Sequence, residues 1–153
     1  MTEPFTRIFH VGWGDLDSNA HMKNTAYFDK AVDVRMMFFQ EQGFAAADLG
    51  RLGLGPVVQR DEMEYFRELR LLEPVRITLA LAGLSPDAAR FRLCNEFFRG
   101  DGRLAARLTS LGGWLDLAER RLITPPEALA GALRALARTD DFEDLPAGRQ
   151  PAA

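Results

Sequence analysis

Residues Asn24 to Gln42 carry an apolar face too wide for a helix that merely lies on a protein surface, and this segment restricts the folds open to the chain. Tyr27, Ala31, Val34 and Phe38 form one stripe at helical spacing, and Phe28, Val32, Met36 and Phe39 form a second beside it. Only Asp29, Lys30, Asp33, Arg35 and Gln40 interrupt them. A helix apolar over so much of its circumference has to be wrapped by other elements. Asn19 or Asn24 suits its N-cap and Gly43 its C-terminal stop.

The flanking segments supply the wrapping. Phe5 to Trp13 alternates, with Arg7, Phe9, Val11 and Trp13 on one side and Ile8 and His10 on the other. Phe44 to Pro56 is rich in Gly and Ala and reads as a loop with room for one short helical turn. Val57 to Leu71 is long and polar for a strand, which suits an edge or an interface. Val75, Ile77, Leu79 and Leu81 alternate with Arg76, Thr78 and Ala80, and Leu84-Ser85-Pro86-Asp87 makes a turn. Phe91, Leu93 and Phe97 alternate with Arg90, Arg92 and Glu96. Gly100-Asp101-Gly102 signals a hairpin, and Leu104 to Leu117 closes the series. A short helix is expected at Glu127 to Ala137. The order of strand, long helix and four strands predicts an α+β domain over residues 1–138, one antiparallel sheet curling around one central helix. The acidic, then Pro- and Ala-rich stretch 139–153 reads as a disordered tail.

At 153 residues, 47% apolar and 27% charged, the chain can bury a core without disulfides or metal. A net charge of -3 argues against nucleic acid as partner. Lys23 and Lys30 are the only lysines among 19 basic residues. The lone Cys94 permits no internal disulfide and suits a reducing cytoplasm. Met1 to His10 lacks the basic start and apolar run of a secretory signal, and no apolar run reaches membrane-spanning length. No metal and no cofactor are expected.

Chemistry concentrates between Trp13 and Tyr27, where the first strand hands over to the helix. Asp17 is a candidate base or nucleophile, or an Asx turn entering the helix. His21 is a candidate for proton transfer, or an incidental polar residue. Asn19 and Asn24 are caps by default, and Tyr27 a core aromatic with a satisfied hydroxyl. Asp17, Asn19 and His21 sit at i, i+2 and i+4, so one turn can bring all three to one point. A turn needs one capping residue, and several stand here. Free N–H groups at a helix start favour negative charge, which fits acyl chemistry passing through an oxyanion.

The stretch Asp15-Leu16-Asp17-Ser18-Asn19-Ala20-His21-Met22-Lys23-Asn24-Thr25-Ala26-Tyr27 resembles the signature of hotdog-fold thioesterases. It looks most like the Asp-Leu-Asp-x-Asn-x-His-x-x-Asn-x-x-Tyr pattern of the plant acyl-ACP thioesterases. It is also similar to the 4-hydroxybenzoyl-CoA thioesterase group, which keeps the second aspartate but not the histidine. A weaker echo lies at Glu64-Tyr65-Phe66-Arg67-Glu68. The resemblance implies an acyl-CoA or acyl-ACP thioesterase. Asp17 would attack the thioester carbonyl or activate water, and Asn19 and His21 would position substrate or water. Asn24 falls where a backbone N–H polarises the thioester carbonyl, and Glu68 where the acyl-ACP branch keeps a further carboxylate or else a solvated strand residue. Tyr27, with Ala31, Met36 and Phe39, would line the acyl tunnel or simply the core. Arg120 and Arg121 offer a phosphate site or a solvated pair. The sequence departs from the family at Lys23 and Ala20. The resemblance also implies a homodimer or homotetramer, because such proteins pair their sheets across an edge. Two other readings share the fold: an enoyl-CoA hydratase or dehydratase, and a non-catalytic acyl-CoA-binding module. Such hydratases space their aspartate and histidine five apart, against four here.

Overall fold

A computed structural model describes residues 2–147. Strand β1 (Phe5–His10) leads through a 3₁₀ turn at Trp13–Asp15 to helix α1 (Asn24–Glu41) and the shorter α2 (Ala46–Leu52). Strands β2 (Leu54–Tyr65), β3 (Pro74–Leu84), β4 (Arg90–Phe98) and β5 (Leu104–Asp116) follow, then α3 (Glu127–Ala135) and β6 (Arg138–Asp144). The sheet runs β1-β3-β4-β5-β2, every neighbour antiparallel, with β6 added parallel to β3.

The sheet grips α1 through aromatic side chains. Phe38 meets Phe5 of β1 edge-on at 5.4 Å between ring centroids, and Phe39 meets Trp114 of β5 at 5.2 Å. Tyr27 meets Phe97 of β4 at 5.1 Å and Tyr65 of β2 at 5.3 Å. Such edge-to-face pairs contribute about 0.5–1.5 kcal/mol each beyond the area they bury. Ala31, Val34, Leu93, Leu108 and Leu133 join the same buried cluster. The first stripe of α1 is thus covered as expected. The second is covered in part: Phe39 is buried, Phe28 and Met36 pack against the core from half-buried positions, and Val32 is 48% exposed.

Arg35, which interrupts the stripes in sequence, lies inside. Only 6% of it is exposed. Its Nε donates to Asn95 Oδ1 at 2.9 Å and its Nη2 to Ser110 Oγ at 2.6 Å. The Ser110 hydroxyl in turn donates a hydrogen bond to Asp61 Oδ1 on β2, and Asn95 donates to the Thr78 carbonyl. Burial pulls the guanidinium pKa down to about 10 against the opposing charge of Asp61. A buried cation costs several kcal/mol unless hydrogen-bonded, and this chain of partners ties α1 to β2, β4 and β5.

Four expectations need correction. The helix begins at Asn24 with Lys23 as its N-cap, and no side chain caps it, so neither Asn19 nor Asn24 serves. Gly43 does follow the last turn, with φ +91°. The presumed loop after it holds α2, because Asp48 accepts the Ala45 N–H at 3.0 Å and pairs with Arg51. Strand β2 ends at Tyr65 rather than Leu71: the N–H groups of Phe66 and Arg67 both converge on the Ala105 carbonyl, which closes the ladder. Finally, the start of the supposed tail is β6. Strand β1 pairs with β3 only as far as Leu79, which leaves Leu81 to Leu84 open on that edge. Residues Arg138, Glu143 and Asp144 fill it in register with Leu81, Gly83 and Leu84. Glu143 pairs with Arg92, Arg138 lies over the Phe142 ring, and Leu145 is buried. The remainder of the expected tail, 148–153, lies outside the described residues.

Candidate functional site

The turn before α1 is a miniature hairpin. Leu16 and Met22 form an antiparallel bridge, Asp17 N–H donates to the His21 carbonyl at 3.0 Å, and Ala20 N–H donates to the Asp17 carbonyl at 3.2 Å. Closing so tight a loop requires a left-handed residue, and Ala20 supplies it with φ +64°. Asp15 fastens the base of the loop. Its carbonyl accepts the Lys23 N–H at 2.8 Å, and its carboxylate accepts the Gly12 N–H at 2.7 Å and sits 3.0 Å from Lys30 Nζ. Burial pushes the Asp15 carboxyl pKa up, but the Gly12 amide and Lys30 together hold it below the usual value. Met22 N–H donates to the Leu69 carbonyl at 2.7 Å, which joins the hairpin to the chain leaving β2.

Within this hairpin Asp17 and His21 meet. Asp17 Oδ2 stands 3.4 Å from His21 Nδ1, and Oδ1 accepts the Asn19 N–H at 2.8 Å. Both side chains are roughly a third exposed, at 28% and 31%. Asn19 contributes its backbone rather than its amide, which lies at the surface. Asn24 is exposed as the first residue of α1. With no side-chain cap, the N–H groups of Asn24 and Thr25 are left for a ligand or solvent, while that of Ala26 donates to the Lys23 carbonyl at 3.0 Å, and the positive end of the helix lies just after the Asp17 loop.

Tyr27 and Glu68 complete the set. Tyr27 is 2% exposed. Burial pushes its phenol pKa up to about 12, helped by Tyr65 and by the carboxylates of Glu73, Asp17 and Glu68. Glu68 is exposed. The hydrogen bond from Arg70 holds its carboxyl below the usual range, with His21 and Arg99 adding to the effect. The fold therefore gathers Asp17, His21, Glu68 and Tyr27 at one end of α1 and leaves the Asn19 and Asn24 side chains in solvent. Tyr65, Glu73 and Arg70 belong to the same neighbourhood and were not singled out in the sequence. The Glu64–Glu68 echo contains Tyr65 and lies just before the other two.

A hollow of about 760 Å³ lies elsewhere, on the sheet face opposite α1. Small side chains such as Ala80, Cys94 and Thr109 line it beside charges of both signs, and it shares no residue with the 15–27 turn. Arg120 stands in the turn after β5, where its side chain donates to the Leu117 carbonyl at 3.4 Å. Among the described residues, no helix is long and apolar enough to cross a membrane.

A family model described as the thioesterase-like superfamily matches residues 11–133. The chain belongs to that superfamily, and its sheet around α1 is the hotdog fold. Solved structures agree on the fold. SAV2348 of Staphylococcus aureus, determined in complex with CoA, is similar at a TM-score of 0.79 and 21% identity, covering 97% of this chain and 90% of that one. The 1,4-dihydroxy-2-naphthoyl-CoA thioesterase of Synechocystis matches at 0.78 and 15% identity, covering 88% and 98%. The BH1999 gentisyl-coenzyme A thioesterase matches at 0.74 and 20% identity, covering 84% and 98%. No curated protein matches by sequence.

Proposed function

We propose that this chain hydrolyses an acyl-CoA thioester to the free acid and coenzyme A, with an acyl carrier protein as the alternative thiol carrier. One observation carries the reading: in a member of the thioesterase-like superfamily, a carboxylate and an imidazole stand 3.4 Å apart in the turn that opens the central helix. Asp17 acts as base or nucleophile on the thioester carbon. His21 holds the carboxylate and the reacting groups in place, and Glu68 lies within electrostatic reach of that imidazole. The uncapped amides of Asn24 and Thr25 receive the oxyanion, a contribution of about 3–4 kcal/mol per donor in comparable sites. Asn19 shapes the Asp17 loop through its backbone, and Tyr27 faces the reacting groups.

CoA is favoured as the carrier because one similar structure was solved with CoA and others are thioesterases of CoA esters. The exposed Val32 of α1 and the free edge of β2 support a homodimer or a homotetramer. Cysteine usage supports a cytoplasmic setting.

A thiol-release assay over acetyl-, benzoyl-, lauroyl- and crotonyl-CoA, with product analysis of the last for hydration, tests the reading. Free CoA from at least one ester is expected. Hydration of an enoyl-CoA without thiol release, or tight binding without turnover, would replace it with one of the other two readings.

A further inference from the structure

Arg99 opens the hairpin between β4 and β5, and its Nε is buried without a hydrogen bond to any described residue. The carboxylates beside it, Glu73 and Asp101, stand off at 3.4 Å and 3.6 Å. Across the hairpin, Arg99 N–H donates to the Arg103 carbonyl at 2.9 Å, and the Arg103 side chain is exposed. Arg67 reaches the same end from the chain leaving β2, where its Nη1 donates to the Leu104 carbonyl at 2.6 Å. Among the described residues neither Arg67 nor Arg103 has an ion pair, whereas Arg7, Arg92 and Arg107 hold Glu41, Glu143 and Glu96. All three guanidinium groups act on one carboxylate. The Arg103 N–H at 3.0 Å, and then the charges of Arg99, Arg103 and Arg67, hold the Asp101 carboxyl below its usual range. In a chain of net charge -3, three cations around Asp101 and a share of Glu73 leave a local excess of positive charge.

A short run of bonds ties this cluster to the Asp17 turn. Met22 N–H donates to the Leu69 carbonyl at 2.7 Å, and Glu73 accepts the Arg70 N–H at 3.0 Å before standing 3.4 Å from Arg99. The loop 66–73 thus bridges the turn and the arginines, with Leu69 buried beneath it. A thioester held at Asp17 has to send its thiol carrier outward. Both CoA and an acyl carrier protein continue from the sulfur as a pantetheine arm that ends in a phosphate. Guanidinium forks match phosphate oxygens two at a time. We propose that Arg67, Arg99 and Arg103 form an anion site for the phosphate end of the thiol carrier; this rests on the hydrolase reading above. Arg70 stands apart from the site, because its Nε and Nη2 are both engaged by Glu68.

The test uses the full chain and the acyl group of whichever CoA ester the parent cleaves best, presented as acyl-CoA, acyl-phosphopantetheine and acyl-pantetheine, the last without phosphate. Parent kcat/KM is expected to favour the phosphate-bearing esters over acyl-pantetheine. Arg103→Gln, which removes no side-chain bond among the described residues, is expected to cut that preference about tenfold, through KM rather than kcat, the scale of one charge-assisted hydrogen bond. Arg67→Gln is expected to do the same. A loss shared by the CoA and phosphopantetheine esters supports the site and seats the arm's own phosphate in it; a loss confined to CoA supports it and seats a phosphate of the nucleotide. A preference undiminished in both variants overturns the proposal, as does a parent indifferent to phosphate. An equal loss on all three esters overturns it too, by making the arginines structural. Calorimetric titration of CoA and of pantetheine, which needs no turnover, separates the two levels. If the parent cleaves no ester, the hydrolase reading fails, and the titration alone decides: a CoA affinity about tenfold weaker in Arg103→Gln upholds the anion site, and an unchanged affinity overturns it.

Discussion

Ala20 is the residue on which the shape of the Asp17 loop turns. It holds φ +64° without the freedom of glycine, and a left-handed alanine costs about 1–2 kcal/mol. Ala20→Gly relieves this strain and gives part of it back through a more flexible unfolded chain. The expected result in a thermal melt is a Tm about 1–4 °C higher; a lower Tm would mean that the loop draws its shape from elsewhere. At this scale the sequence was legible where partners are near neighbours. Asp17, Asn19 and His21 fall within one turn, so their spacing already implied convergence, and two of the three side chains, Asp17 and His21, do meet as a carboxylate–imidazole contact. It named Tyr65 only within the Glu64–Glu68 echo, with no link to Tyr27, whose ring it meets only because β2 returns past α1. No local pattern encodes that return.

Among the elements, the bond from α1 through Arg35 to the sheet is the most exacting. Ser110→Ala removes the acceptor of one guanidinium N–H at 2.6 Å and the donor to Asp61. Hydrogen bonds to charged groups contribute about 1.5–3 kcal/mol. The urea midpoint is therefore expected to fall by that free energy divided by the m-value, with the m-value unchanged; an unaltered midpoint would show that Arg35 is satisfied without Ser110. The helix itself could be read because its 3.6-residue period is strong, but the inward turn of Arg35 could not. Its acceptors, Asn95 and Ser110, stand on β4 and β5, far along the chain. Strand β6 escaped for a different reason. Most of its residues are exposed acids, and Phe142 and Leu145 are its apolar anchors, so composition resembled a solvated tail. The vacancy that it fills, the edge of β3 beyond Leu79, exists only once β1 and β3 have paired.

For the whole molecule, the sheet ends on one side at β2, and Val58, Tyr65 and Phe66 are exposed there while Val32 of α1 is 48% exposed. An open edge flanked by apolar side chains tends to find another chain. Light scattering on the purified protein is expected to give a mass of at least two chains at micromolar concentration, whereas a monomer would leave this face unexplained. Fold class was open to sequence reading because helix face and strand alternation agree on one arrangement; assembly was not, since an edge strand and a covered one differ only in what stands beside them. The account as a whole stands on Asp17. In single-turnover thiol release, Asp17→Asn is expected to keep the fold and lose about 10²–10⁴ in rate. Release at the parent's rate by the folded variant would contradict it.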